Sequence, residues 1–188
     1  MNFYHLYYKD HIYRNFSIRI MAKLTVIIII FLSFLAPFHS RIYAKDYDLN
    51  KAQQLFSKGE VFFTEYNIDL ALRYYFAALD SYPFMSKAYY KIGVIYGPLK
   101  RRYKKSIRFF RKSIKYDFQN PNAYYGLGLT YCMSGDERLG SKFLLKAGMM
   151  FLREGNITAA LSVYDVLNQT KEKDCKEKLA LAIERSSK

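Results

Sequence analysis

Tryptophan is absent from this 188-residue chain, and histidine is missing after residue 39. Imidazole is the side chain best suited to general base catalysis near neutral pH, and it is also a common metal ligand. From residue 40 onward the chain therefore cannot use histidine for catalysis or for metal binding. The three histidines are His5, His11 and His39.

Cysteine is nearly as scarce, because the chain has only Cys132 and Cys175. Without a C-x-x-C spacing these two residues cannot build a zinc site. In an oxidising compartment they could form a disulfide, and the alternative is two thiols buried separately. The sequence therefore predicts no metal site.

Motifs for phosphate binding and acid–base chemistry are missing as well. The stretch Gly126-Leu127-Gly128 lacks both the third glycine and the preceding strand of a dinucleotide fingerprint. Glu60 and Glu65 are five residues apart and would not share one face of a helix. We therefore expect a protein that is not an enzyme and needs no cofactor.

One long apolar run occurs, Leu24–Ala36, with thirteen residues. It is too short for the roughly 20 apolar residues that span a bilayer. Lys23 before it, Pro37 after it and Ala44 as a cleavage residue are typical of a secretory signal peptide. An anchor that is not cleaved is the alternative. We assign residues 1–44 to this signal segment.

The start and the final location of the chain depend on that segment. Met21 lies directly before Ala22-Lys23, so residues 1–20 are either an upstream extension or part of a long charged region of the signal. No cysteine follows the run closely, as a lipid-anchored protein would require. We expect an exported protein, periplasmic or secreted, which is membrane-anchored only if the signal is retained.

A nine-residue stretch returns thirty-five residues later with its aromatic residues in register. Residues 88–96 read Ala-Tyr-Tyr-Lys-Ile-Gly-Val-Ile-Tyr, and residues 123–131 read Ala-Tyr-Tyr-Gly-Leu-Gly-Leu-Thr-Tyr. A period of this size is typical of helical repeats. The landmark residues are Gly59, Phe62, Ala71, Tyr75, Ala78 and Pro83 in the first unit, Gly93, Tyr96, Ser106, Phe110 and Ser113 in the second, and Gly128, Tyr131, Gly140, Leu144 and Ala147 in the third.

This pattern resembles the tetratricopeptide repeat, a helix-turn-helix unit of about 34 residues. The resemblance covers roughly residues 49–167. It implies an all-α fold, a right-handed α-solenoid of about three such units with C-terminal capping helices. We expect the repeat domain at residues 45–168 and a capping helix at residues 169–188.

The chain departs from the family pattern in two places. The turn after Gly97-Pro98 is one residue longer than expected and basic, so it should be irregular. The landmark alanine recurs at Ala160, only twenty residues after Gly140, so a full fourth repeat does not fit. We expect one long helix from Glu137 to Arg153. Shorter helices should then cover residues 157–167 and 173–185.

Family members hold partners along the inward side of the first helix of each unit, and here those positions are mostly apolar or aromatic. Phe56, Tyr90 and Tyr125 stand where chaperone-tail binders carry a lysine, so a chaperone tail is a poor fit. A partner helix or an apolar peptide fits better, since aromatic anchors dominate such interfaces. The alternatives are that these rings are core or that the C-terminal helix covers them. The predicted groove consists of Phe56, Glu60, Phe63, Tyr90, Val94, Tyr125 and Leu129.

Basic residues form a second feature, with nine between residues 100 and 115 and no acidic residue there. Several follow a spacing of three and four and would form one stripe on the outer side of a helix. A solvated face is one interpretation, and attraction to anionic lipid or acidic envelope polymers is another. Nucleic acid fits on charge alone, although an exported protein rarely meets it. The stripe consists of Arg101, Lys105, Arg108, Lys112 and Lys115.

These patterns together predict a non-enzymatic scaffold or adaptor of an exported, cell-envelope complex that binds a protein or peptide. The rival hypothesis is a basic protein associated with nucleic acid or ribosomes, which requires that the chain is not exported. An adaptor held on anionic membranes through the basic stripe is a further alternative.

Overall fold

A computed structural model describes residues 47–186 of the chain, and within that range every regular element is helical. The predicted signal segment lies outside the described residues. No helix within 47–186 is both long and apolar enough to cross a membrane. The helices are α1 Leu49–Thr64, α2 Ile68–Ser81, α3 Ser86–Val94, α4 Tyr103–Tyr116, α5 Pro121–Met133, α6 Glu137–Arg153, α7 Ile157–Asn168 and α8 Lys173–Ser186.

The landmark residues of the repeat form the contacts between paired helices. Ala71, Tyr75 and Ala78 lie on one face of α2 and are fully buried. A Cβ atom added to Gly59 of α1 would lie 2.7 Å from the Tyr75 ring. The helices α1 and α2 therefore pack closely because glycine on one meets an aromatic ring on the other.

The second and third units repeat this packing. A Cβ atom on Gly93 would lie 2.9 Å from the ring of Phe110. A Cβ atom on Gly128 would lie 2.9 Å from the backbone oxygen of Gly140. A helix-interior glycine costs about 1 kcal/mol relative to alanine, and these close helix contacts offset that cost. Gly93 and Gly128 therefore lie where two helices approach closely.

Serines replace two landmark alanines in the second unit, and both are fully buried on α4. The Ser106 hydroxyl donates to the Gly93 carbonyl oxygen at 2.8 Å. Ser113 lies 3.1 Å from the hydroxyl of Ser86. Because a buried hydroxyl without a partner would be destabilising, these bonds explain how serine is tolerated at a position that favours alanine.

Three of the turns between helices share one geometry. Tyr66, Gly135 and Gly155 each have a positive φ, of 58°, 95° and 73° respectively. The residue that follows each of them caps the next helix, because its side-chain oxygen accepts a hydrogen bond from a backbone N–H three residues on. The capping pairs are Asn67 with Leu70, Asp136 with Leu139 and Asn156 with Ala159.

The turn of the second unit is irregular, as the sequence predicted. Ile95–Leu99 forms a π-helical turn that contains Pro98, and Arg101 has a φ of 50°. The N–H of Arg102 bonds to the carbonyl of Tyr96 at 2.7 Å, which spans one residue more than the matching bonds in the other turns. The extra residue is thus absorbed as a π-bulge.

The C-terminal part also follows the predicted boundaries. The long helix α6 covers Glu137–Arg153 and packs against α5, α7 and α8. It therefore serves as the second helix of the third unit and also packs against the next helix, α7. On α8, Cys175 and Leu179 are buried while the remaining face is largely charged, as expected of a capping helix.

Candidate functional site

The seven predicted groove residues lie on α1, α3 and α5, the first helices of the three units. All seven are partly exposed, so each reaches solvent while contributing to packing. On α1, Phe56, Glu60 and Phe63 share one face because they are four and three residues apart. The other members are Tyr90 and Val94 on α3 and Tyr125 and Leu129 on α5.

Glu60 is one of the predicted groove residues, but its carboxylate is already engaged. It accepts a hydrogen bond from the hydroxyl of Tyr75 and forms a 2.6 Å ion pair with Lys91. The Lys91 ammonium also lies 5.1 Å from the centre of the Phe63 ring. Glu60 therefore links α1, α2 and α3, which sequence reasoning missed because Tyr75 and Lys91 are far from it in the chain.

The phenols of the groove lie close to one another. The pKa of Tyr90 is raised by burial and, to a lesser extent, by the nearby Tyr125 and Glu60. Burial alone raises the pKa of Tyr125. Both hydroxyls therefore stay neutral at physiological pH, and the groove offers rings with neutral polar edges rather than a charged clamp.

The capping helix α8 packs on α6 and α7 rather than on the first helices of the repeats. Within residues 47–186, the C-terminal helix therefore does not cover the predicted groove, which was the alternative considered from the sequence. Of the groove residues, Tyr125 is partly buried against the C-terminal core cluster that contains Leu144 and Phe151.

The basic stripe differs from its prediction at one end. Arg101 precedes α4, which begins at Tyr103, so it does not belong to the helical stripe. The added residue in the preceding turn causes this displacement. Lys105, Arg108, Lys112 and Lys115 all lie on α4 and are exposed. Lys100 is instead paired with Asp69 at 2.7 Å and lowers the pKa of that carboxyl by its hydrogen bond and charge.

Aromatic rings lie beneath the cations of the stripe, which the spacing of basic residues alone did not reveal. The ammonium groups of Lys105, Lys112 and Lys115 lie 5.3, 5.3 and 5.6 Å from the ring centres of Tyr96, Tyr89 and Tyr116. Such cation–π contacts orient a charged group without neutralising it. The stripe is therefore an ordered surface, built on rings from α3, the π-helical turn and α4.

Groups suited to metal binding do not occur in the part of the chain that the structure describes: no three His, Cys, Asp or Glu side chains come together there. Cys132 and Cys175 are free thiols, on α5 and α8. Burial raises the pKa of both thiols, which lowers their reactivity as nucleophiles.

No family model and no curated protein matches the chain, but solved structures do. The type III secretion translocator chaperone SycD of Yersinia enterocolitica matches with a TM-score of 0.60 and 13% identity, over 65% of this chain and 92% of SycD. The first TPR of Spaghetti (RPAP3), bound to the HSP90 peptide SRMEEVD, matches with a TM-score of 0.57 and 17% identity, over 67% of this chain and 100% of that one.

A third likeness covers more of the chain. YrrB, a TPR protein with an unusual peptide-binding site, matches with a TM-score of 0.50 and 20% identity, over 80% of this chain and 84% of YrrB. At these identities the likeness concerns the fold. Together with the buried landmark residues, it shows that the chain has the fold of the tetratricopeptide-repeat proteins, an all-α solenoid of helix-turn-helix units.

Proposed function

We propose that the chain is a non-enzymatic adaptor whose groove holds an apolar peptide or a partner helix. The observation that carries this proposal is the row of partly exposed aromatic and aliphatic side chains on α1, α3 and α5. Such side chains act as anchors in protein interfaces, where burying one ring contributes strongly to affinity. The peptide- and protein-bound relatives in fold, which include RPAP3 with its HSP90 peptide and a CopN–Scc3 complex, support the same class of function.

The chemistry of the groove restricts the kind of partner. Glu60 and Lys91 neutralise one another, and the hydroxyls of Tyr90 and Tyr125 stay neutral. A partner that presents apolar side chains with a few hydrogen-bonding groups therefore matches the surface. A terminal carboxylate would find fewer cations here than in a carboxylate clamp.

A library of displayed random peptides tests this proposal with a defined probe. Peptides selected on the purified protein should be rich in apolar and aromatic residues. They should bind a double Tyr90→Ala, Tyr125→Ala variant about tenfold more weakly or worse, because truncating an anchor costs about 2 kcal/mol where it is a hot spot. Circular dichroism must show that the variant keeps its helix content.

Tyr66→Ala is the matched control, because it removes an aromatic side chain that is 87% exposed and lies in a turn. The selected peptides should bind this control as they bind the wild type. Equal binding to the groove variant and the control would contradict the proposal.

We propose further that the adaptor works outside the cytoplasm. The support is the apolar run Leu24–Ala36 with Lys23 before it. Intact mass and N-terminal sequencing of the protein from cells should show Lys45 at the start. A full-length product in the cytosol would overturn export and favour the nucleic-acid hypothesis.

A further inference from the structure

A second cleft, with a volume of about 640 Å³, lies between α2 and α4. Three aromatic residues contribute its apolar lining, Phe76, Tyr96 and Phe109, and it shares no residue with the groove. No acidic side chain lines it among the residues that the structure describes. Its basic lining residues are Lys105, Arg108, Arg111 and Lys112, and we call the site the cationic cleft.

None of these four cations pairs with a carboxylate within residues 47–186. Other lysines of this range do form ion pairs, Lys91 with Glu60, Lys100 with Asp69 and Lys178 with Asp174. Arg111 is engaged in another way, because it donates to the hydroxyl of Tyr131 at 2.6 Å. Lys105, Arg108 and Lys112 therefore leave an excess of positive charge at the rim.

Two of the cations are held in place by rings. Lys105 lies over Tyr96 and Lys112 lies over Tyr89, each at 5.3 Å from the ring centre. A long side chain that is already oriented loses less conformational freedom when it pairs with an anion. The cleft is therefore prepared for negative charge.

The geometry of the rings distinguishes between anionic ligands. Tyr96 and Phe109 stack on each other at 5.5 Å with 11° between their planes, and Lys105 lies over the Tyr96 ring. Phe76 meets Phe109 edge to face at 5.9 Å. Single-stranded nucleic acid binds mainly by stacking bases on open ring faces, and here those faces are largely occupied. A bilayer surface is flat, whereas this site is concave.

A peptide segment can supply both the negative charge that the rim cations favour and an apolar group that fits a concave site. Its carboxylates can pair with the rim cations, and one apolar side chain can enter beside Phe76, which is 37% exposed. We propose that the cationic cleft binds an acidic segment of a partner protein, in which carboxylates flank an apolar side chain. The site is independent of the groove, so the adaptor has two docking surfaces of different chemistry.

Fluorescence anisotropy with a short labelled peptide, in which glutamates flank one phenylalanine, tests this proposal on the full chain. A double Arg108→Glu, Lys112→Glu variant should bind at least about tenfold more weakly, because close charge pairs become repulsive. Phe76→Ala should weaken binding several-fold. Replacing the peptide's glutamates by glutamines should abolish salt-dependent binding.

The matched control is a double Arg138→Glu, Lys142→Glu variant, which changes the charge equally at exposed positions on α6. It should bind the peptide as the wild type does, and so should the groove variant Tyr90→Ala, Tyr125→Ala. Amide chemical shifts of the unmodified protein provide a second readout and should change around Phe76 and Phe109 when the peptide is added.

Three results would overturn the proposal. One is an equal loss of peptide binding in the α6 control, which would indicate attraction to overall charge. Another is that the protein binds anionic phosphatidylglycerol vesicles or an oligothymidine probe more tightly than the peptide, and that the Arg108→Glu, Lys112→Glu variant alone loses this binding. The third is a set of chemical-shift changes away from the cleft.

Discussion

Tyr66 has a backbone conformation that suits its side chain poorly. It has a φ of 58°, where two equivalent turns of the chain have glycine. The left-handed region costs a residue with a Cβ atom roughly 1–2 kcal/mol. Its ring is 87% exposed, so little packing compensates for this strain.

Replacing Tyr66 by glycine should therefore raise the free energy of unfolding by about 0.5–1 kcal/mol. The relief of backbone strain in the folded state should exceed the cost of the greater conformational entropy that glycine gives to the unfolded chain. Urea denaturation measures the change. Gly135→Ala, at the equivalent position with a φ of 95°, should change stability in the opposite direction. A loss of stability in Tyr66→Gly would show that the turn is not strained.

Tyr75 makes the stability of the protein sensitive to alkaline pH. Burial and the hydrogen bond to Glu60 raise its pKa above the ordinary value of 10.0. The native state therefore holds the phenol proton more tightly than the unfolded state. This contribution to stability is complete below pH 10 and decreases as the pH rises above that value.

A Tyr75→Phe variant removes this titration. At pH 7 it should be less stable than the wild type by about 1 kcal/mol, because the hydrogen bond to Glu60 is lost. Above pH 10 its free energy of unfolding should decline less steeply with pH than that of the wild type. The two slopes should differ by up to about 1.4 kcal/mol per pH unit. Urea unfolding at pH 7 and at pH 10.5 checks both effects, with Tyr66→Phe as the control. Parallel pH dependences of Tyr75→Phe and the wild type would contradict this explanation.

At the scale of elements, the helix boundaries were predictable because caps and turns are local signals. Asp136 and Asn156 follow glycine directly and cap α6 and α7, which begin at Glu137 and Ile157 as predicted. The position of Arg101 was not predictable, because the spacing of basic residues does not indicate where the chain accommodates the extra residue of the turn. The π-helical turn placed Arg101 before α4 rather than on it.

Two glycines on adjacent helices should respond differently to alanine. At Gly128 the added Cβ would lie 2.9 Å from backbone atoms of α6, namely the Gly140 oxygen and the Leu144 nitrogen. At Gly148 the nearest atoms would be the side-chain carbons of Leu179, the first at 2.7 Å. Backbone cannot move aside as readily as a side-chain end.

Gly128→Ala should therefore destabilise the protein by about 1–3 kcal/mol through overpacking. Gly148→Ala should cost less than about 1 kcal/mol, since the gain in helix propensity offsets part of the clash. Thermal denaturation of both variants measures the difference. Equal melting temperatures would mean that α5 and α6 are not in the close contact described above.

At the scale of the whole molecule, the repeat pattern predicted the fold because landmark glycines such as Gly59, Gly93 and Gly128 contact the neighbouring helix of a regular stack. The groove residues could be placed on their helices for the same reason. The side chains that they contact could not be predicted, because the bonds of Glu60 to Tyr75 and Lys91 join different helices. The cationic cleft also required the structure, since Phe76 and Phe109 belong to different units.

The central claim is that the groove holds a partner, and photo-crosslinking in the producing cell tests it most directly. A photoreactive amino acid at Leu129, a predicted groove residue that is partly exposed on α5, should capture one protein or peptide, and the added Tyr90→Ala change should reduce that product strongly. The same amino acid at Leu161, which is 46% exposed on α7, should not give this product. An identical product from both positions, or one unaffected by Tyr90→Ala, would contradict the account.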